Sequence, residues 1–326
     1  MPMSTSVLAR SPTAEYTLRM NRVLNHIDQH LDTPLELVVL AEVAHFSAFH
    51  FHRMFSAWMG ETLGDYVRRR RLEMAALQLA GNARVSVLEV ALGVGFGSGE
   101  AFARAFKLHF RQTPTAWRAN TPQRWACELQ HARRLAERNP GQALRKMDQA
   151  ANPLSGDHAG LFNLQESALM QVNITTLPAV RVACMRHIGP HGLAVNQFWT
   201  QTFVPWCQAQ GLLPGAACYG IGLDDPTITP EAQCRYDACV AVPDNFVARS
   251  PAFIATLPGG RYAVAAFQGT VPQLTLAWTE LLRDWLPASG MQLDGRPLFE
   301  HMPPDTRYDP ATGVFHCELC IPVKPL

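Results

Sequence analysis

The sequence predicts a multidomain chain. An all-α domain of two tandem helix-turn-helix units precedes an α+β domain of two pseudo-symmetric strand-helix-strand-strand repeats, with one antiparallel sheet, two helices and a central cleft. Three observations carry this. The segment HFSAFHFHRMF (His45–Phe55) returns as GFGSGEAFARAF (Gly95–Phe106), and Phe51, Arg53 and Phe55 match Phe102, Arg104 and Phe106 at a constant offset of 51. Further on, RVACMRHIG (Arg181–Gly189) returns as RYAVAAFQG (Arg261–Gly269) at an offset of 80. The charge also divides: residues 1–150 hold 19 Lys and Arg against 13 Asp and Glu, and residues 151–326 hold 9 against 14. A positive half that also carries the paired helical units has the electrostatic footprint of a phosphate binder, which the overall net charge of +1 conceals.

With 326 residues, 48% of them hydrophobic, the chain has room for two or three domains with sizeable cores. Residues 1–20 lack the apolar core of a signal peptide, and no stretch reaches the roughly 20 apolar residues of a membrane span. The expectation is a cytoplasmic protein with no membrane partner, whose eight scattered cysteines are free and mostly buried. Cys317-Glu-Leu-Cys320 has C-x-x-C spacing but falls in an apparent strand, where residues three apart face opposite ways, so no metal site is expected. Gly93-x-Gly95-x-Gly97 lacks the strand that a dinucleotide site needs, and no phosphate loop, nucleophile elbow or H-E-x-x-H occurs. Neither a cofactor nor catalytic residues are expected.

Residues 1–14 read as a disordered N-terminus. A helix is expected from Glu15 to about Leu31, with Leu18, Val23, Leu24 and Ile27 on one stripe. Thr33-Pro34-Leu35-Glu36 predicts the next start, with Thr33 as N-cap, and that helix runs through Ala44. Ser47 caps a helix ending near Gly60, and Thr62 opens a long one to about Leu79. Ser86 starts the second unit, Gly95–Gly99 forms its turn, its second helix runs to about Phe110, and Thr113-Pro114 begins a short last helix with Trp117. Residues 121–169 read as a linker, helical in part from Arg124 to Arg138.

Specific residues carry a resemblance here. SAFHFHRMF is followed by Gly60-x-Thr62-x-x-x-Tyr66 and the basic run Arg68–Arg71. GFGSGEAFARAFKLHF is followed by Thr113-Pro114-x-x-Trp117-Arg118. In order and spacing these resemble the DNA-binding domain of the AraC/XylS family, over residues 15–120. The resemblance implies base contacts at Phe49, His52 and Arg53. Phe49 stands where Trp is common and His52 where Gln is common, so the sequence recognised should differ from that of close relatives.

The side chains support this reading independently. Arg53 can fork onto guanine O6 and N7, His52 can make a single bond, and Phe49 can meet a thymine methyl. The second helix is poorer in donors: Gly99, Glu100, Ala101 and Ala103 stand where readers often sit, and Arg104 is the strong donor. Glu100 either accepts from cytosine N4 or repels phosphate. Lys107 and the helix amide ends are phosphate contacts, so this unit should anchor more than it reads. Four consecutive arginines cover all faces of a helix, so Arg68–Arg71 divide between pairing with Asp65 and Glu73 and touching phosphate. Two units on one rigid helix place their readers about 34 Å apart, in successive major grooves of double-stranded DNA.

In the second half, the offset of 80 also maps Phe198 onto Trp278, Tyr219 onto Phe299 and Tyr236 onto His316. Arg-x-Ala-x-x-x-x-x-Gly in both copies, Leu298-Phe299-Glu300 and Glu318-Leu-Cys-Ile-Pro322-Val resemble the GyrI-like (Rob/BmrR-type) effector-binding domain, over residues 170–326. The resemblance implies a Glu near position 300 facing the central cleft. A carboxylate among aromatics suits a cationic, flat or amphipathic ligand. The candidates are Glu300, Tyr219, Trp206, Trp278 and Trp199, against the plainer reading of an exposed strand Glu among core aromatics. Glu318 has Ala238 as its counterpart, so no paired carboxylates are implied. His187, His191 and His316 read as loop or surface histidines.

Together these predict a sequence-specific DNA-binding transcriptional regulator, not an enzyme, whose C-terminal domain takes a small-molecule effector or a protein partner and which works with RNA polymerase. The alternative is a C-terminal domain acting as a small-molecule hydrolase, as the resemblance also allows, or purely as a protein-binding module.

Overall fold

The computed structural model describes residues 12–82, 84–138, 171–304, 306, 308–309 and 312–326. Most of the expected disordered N-terminus, residues 1–11, and most of the expected linker, residues 139–170, lie outside the described residues. The chain falls into two compact units.

The helical unit comprises α1 (Pro12–Gln29), α2 (Leu37–Val43), α3 (Ala48–Met59), α4 (Leu63–Gly81), α5 (Val87–Gly93), α6 (Gly99–Phe110) and α7 (Pro114–Ala119). The first helix begins at Pro12, inside the stretch expected to be unstructured. Four expected caps form. The hydroxyls of Ser47, Thr62, Ser86 and Thr113 accept from the backbone N–H of His50, Asp65, Glu89 and Ala116, and Glu89 returns a carboxylate to the Ser86 N–H at 2.7 Å.

Thr33 is a correction. Its hydroxyl donates to His30 O at 3.0 Å, closing a turn that trails α1, while α2 starts at Leu37 behind Glu36, which makes no side-chain cap bond. The local signature is intact, but the Thr33 carbonyl is turned toward Arg71. In the second unit, Ser98 caps α6 by accepting from Ala101 N, so Gly99 is the first helical residue instead of the end of the turn.

Both units use the same packing device. Phe51 and Phe55 are fully buried with ring centroids 5.7 Å apart, and Phe102 and Phe106 repeat this at 5.4 Å. Phe55 meets Tyr66 of α4 edge-on, and Phe106 meets Trp117 of α7 edge-on, so an aromatic pair fastens each second helix to the helix that follows. Burying each such ring contributes about 1.5–3 kcal/mol. The turns differ by one residue: Ala44-His45-Phe46-Ser47 in the first, Val94-Gly95-Phe96-Gly97-Ser98 in the second. Each turns through a left-handed residue, His45 at φ 55° and Gly95 at φ 84°. α8 (Thr121–Arg138) follows, starting three residues before the expected Arg124.

Beyond α8 the chain contains β1 (Val172–Leu177), β2 (Val180–Ile188), α9 (Leu193–Phe198), α10 (Val204–Ala209), β3 (Cys218–Gly222), β4 (Arg235–Ala241), β5 (Phe253–Leu257), β6 (Gly260–Gly269), α11 (Val271–Glu280), α12 (Leu286–Ala288), β7 (Met291–Leu293), β8 (Phe299–Met302) and β9 (Phe315–Pro325). π-turns at Trp199–Phe203 and Leu281–Trp285 join α9 to α10 and α11 to α12. The sheet order is β1-β6-β9-β8-β3-β4-β2-β5, with β7 paired to β9. Exchanging β1 with β5, β2 with β6, β3 with β8 and β4 with β9 reverses this order onto itself, so a pseudo-twofold passes between β3 and β8. Each repeat carries one strand more than expected at its start. That strand pairs with the other repeat, β1 with β6 and β5 with β2, which ties the halves together. Ala263, Ala265, Leu319 and Ile321 face Ala277, Leu281 and Leu286 in a core between the sheet and the second helix pair.

Candidate functional site

The first candidate site is the outer face of α3 and α6. With Phe51 and Phe55 turned inward, Phe49, His52 and Arg53 are all exposed, Phe49 to 70%. The Arg53 guanidinium lies 6.0 Å from the centre of the Phe49 ring, four residues earlier, which holds the fork on the outer face. On α6, Glu100, Arg104 and Lys107 are exposed. Gly99 is half-buried, and a Cβ there would stand 3.3 Å from the Leu88 side chain, so this position offers backbone only. Arg104 lies 3.6 Å from Glu100, an exposed i,i+4 pair worth little in stability. At matched positions, then, Arg53 has an aromatic ring beneath it and Arg104 a carboxylate.

The arginine run of α4 divides. Arg68 is exposed and pairs with Asp65 at 3.2 Å. Arg69 bridges Glu61 and Glu73 at 2.7 and 2.9 Å, and Arg70 bridges Asp28 and Glu73 at 3.2 and 2.7 Å. Burial would lower the Arg69 pKa, but the two carboxylates hold it above the ordinary guanidinium value. Arg71 donates to backbone carbonyls.

The second candidate site lies on the pseudo-twofold of the sheet. Glu300 of β8 is paired directly with Gly220 of β3, its own repeat counterpart at offset 80. The Tyr236 hydroxyl donates to Glu300 Oε2 at 2.8 Å, and Trp278 Nε1 donates to Oε1 at 3.1 Å. Trp199 Nε1 donates to the Tyr236 oxygen at 3.1 Å. A hydrogen-bonded chain, Trp199–Tyr236–Glu300–Trp278, thus runs from the first helix pair to the second. Glycine at 220 makes room for it: a Cβ there would collide with both the Tyr236 hydroxyl and Glu300 Oε2.

Burial raises the Glu300 pKa, and the bonds from Tyr236 and Trp278 oppose that rise. Glu300 as a residue is half-buried, and burial of its carboxyl group is the largest cause of the rise. Burial likewise pushes Tyr236 well up. Both donors to the carboxylate are neutral, so they leave its charge uncompensated.

Of the expected ligand residues, Glu300, Trp278 and Trp199 come together. Trp206 stacks on Phe203 at 6.0 Å and is not part of the chain. Tyr219 is a correction to the expected cleft set: one position from Gly220 on a strand, it points to the opposite face, where it stacks on His301 at 5.1 Å. That face also holds Glu318, 2.8 Å from His301 Nδ1. Tyr236 is the residue missed from sequence. The repeat maps it onto His316 without marking it, whereas Gly220 opposite Glu300 at the same offset would have located the twofold.

Cys317 and Cys320 both lie on β9, on opposite faces, and burial pushes Cys320 up to about 12. Among the described residues no three His, Cys, Asp or Glu are grouped as metal ligands, and no helix is long and apolar enough to cross a membrane.

Residues 40–120 match the family model of a helix-turn-helix domain, and residues 170–324 match the GyrI-like small molecule binding domain. The SPbeta prophage protein YosT of Bacillus subtilis is 31% identical over 156 residues, 48% of this chain and 100% of that one. The regulatory protein SoxS of Escherichia coli is 38% identical over 92 residues, 28% of this chain and 85% of that one. The right origin-binding protein of Escherichia coli is 40% identical over 111 residues, 34% of this chain and 38% of that one.

Proposed function

Because the chain belongs to the AraC-type helix-turn-helix regulators, here joined to a GyrI-like small molecule binding domain, we propose that it reads a bipartite promoter site and answers to a cationic, flat effector. The observation that supports the DNA reading most is the exposure of Arg53 and Arg104 at matched positions on two helices built the same way. Arg53 with His52 and Phe49 reads one half-site. Arg104 and Glu100 face the other, Gly99 brings backbone close to it, and Lys107 holds phosphate. The effector lies over Glu300, whose charge draws a cation, between the indoles of Trp199 and Trp278. It acts by binding one state of the protein better than another, and the partner at the promoter is RNA polymerase, in the cytoplasm.

The test is binding of the full-length protein to its selected site and to random duplex across a salt series. Arg53→Ala should lose about 1–3 kcal/mol on the selected site and relax the preference at one base pair. Lys107→Ala should weaken both duplexes alike and flatten the salt slope. Equal losses on both duplexes for Arg53→Ala would remove it as a base reader.

A further inference from the structure

Arg71 leaves the company of the other three arginines. Its Nε donates to Leu31 O at 2.9 Å and one terminal nitrogen to Thr33 O at 2.8 Å, in the turn that trails α1 of the first unit. The same guanidinium lies against Gly95, the left-handed residue in the turn of the second unit. A Cβ on Gly95 would stand 2.8 Å from Arg71 Cζ and would collide with the Leu31 carbonyl oxygen. Three segments therefore meet on one planar group: the tail of α1, the connecting helix α4, and the turn from which α6 departs. A single helix fixes the direction between two units but leaves each free to tilt at its own end. A guanidinium holding two carbonyls in fixed directions, with the next turn resting on it, removes that freedom, and an ammonium cannot present the same fork.

We propose that Arg71 is a positioning residue that fixes the distance and phase between α3 and α6, and so sets the half-site spacing the protein accepts. This rests on the reading of α3 and α6 as the DNA readers. Arg71 then touches no DNA, although it stands in the run whose charge most suggests phosphate. It also accounts for Thr33: the carbonyl that a cap at that position would leave elsewhere is held by Arg71.

The experiment uses full-length protein and three kinds of duplex: the selected bipartite site, the same site with its spacer changed by one base pair either way, and the Arg53 half-site alone. One base pair moves the second half by about 3.4 Å and turns it by about 34°. Wild type should lose about tenfold or more on the shifted spacers. Arg71→Lys and Arg71→Ala should bind the single half-site within about twofold of wild type, lose about tenfold on the native spacer, and discriminate between spacers by less than about threefold, with an unchanged salt slope. Gly95→Ala, which forces a methyl into the same junction from the other side, should blunt spacer discrimination too, and half-site binding within about twofold of wild type shows that each variant is folded. Variants that keep the wild-type discrimination ratio, at whatever affinity, overturn the proposal, as does a salt slope reduced by about one, which would make Arg71 a phosphate contact. Failure of wild type to bind even the half-site would sink the DNA reading itself, and the proposal with it.

Discussion

Gly220→Ala probes the cleft without removing any of its polar groups. The new methyl would occupy space held by the Tyr236 hydroxyl and Glu300 Oε2, which are hydrogen-bonded to each other at 2.8 Å. The backbone cannot retreat, because β3 is paired on both sides, to β4 and to β8. Either the side chains move or the strand does. Overpacking of this kind costs about 1–3 kcal/mol. Loss of a hydrogen bond to a charged acceptor adds about 1.5–3 kcal/mol if Tyr236 is the group displaced. A loss of about 3 kcal/mol is the expected outcome, at the top of the overpacking range alone and in the lower part of the two ranges combined. Gly222→Ala, two residues along the same strand, is the control, since nothing lies within 4 Å of its added Cβ. Removing a strand glycine there should be neutral or stabilise by about 0.5 kcal/mol. The assay is urea unfolding of the full-length protein followed by tryptophan emission, because Trp199 and Trp278 both donate into the hydrogen-bonded chain that the methyl would disturb. Gly220→Ala should lower the unfolding midpoint and alter the native emission spectrum, while Gly222→Ala does neither. A Gly220→Ala protein within about 0.5 kcal/mol of that control, with unchanged native emission, would refute the packing argument.

Two further outcomes are expected. Glu73→Gln leaves Arg69 and Arg70, both nearly buried, short of the carboxylate they share, and should destabilise the helical unit by about 3 kcal/mol in thermal or urea unfolding; a loss under about 1 kcal/mol would mean that water reaches the pair. Glu300 carries a pH signature. Its folded pKa lies above the ordinary 4.5, so the cost of ionising it in place is absent below that value and grows as pH rises through the raised pKa. Unfolding midpoints of wild type and Glu300→Gln measured from acid to neutral pH should therefore diverge in favour of the variant as pH rises. Divergence in favour of wild type would contradict the cause assigned to the shift.

The helical unit was legible because its signals are local. Ser47, Thr62, Ser86 and Thr113 each bond within one turn of their own helix, and the paired phenylalanines sit four residues apart. Thr33 shows where this ends: its cap signature loses to a carbonyl contact with Arg71, 38 residues away. The sheet was legible as a repeat, since an offset of 80 survives in β2 and β6 and in β4 and β9. The leading strands β1 and β5 escaped because each pairs across to the other repeat, which leaves no trace in local spacing. The cleft was half legible. Glu300 announces itself as a lone carboxylate among aromatics, but its bond to Tyr236 spans 64 residues, and only the register of β3 against β8 separates Tyr219 from the face that matters. Which partner each arginine of Arg68–Arg71 takes follows from tertiary geometry that four identical letters cannot encode.

The measurement that tests the account most directly is a selection of random duplex DNA by the full-length protein, read by sequencing. Two tandem readers predict enrichment of two half-motifs whose centres lie about 10–10.5 base pairs apart, with the stronger base preference in the half that Arg53 faces. A folded protein that enriches a single half-motif, or none, would contradict a chain built to read two successive major grooves.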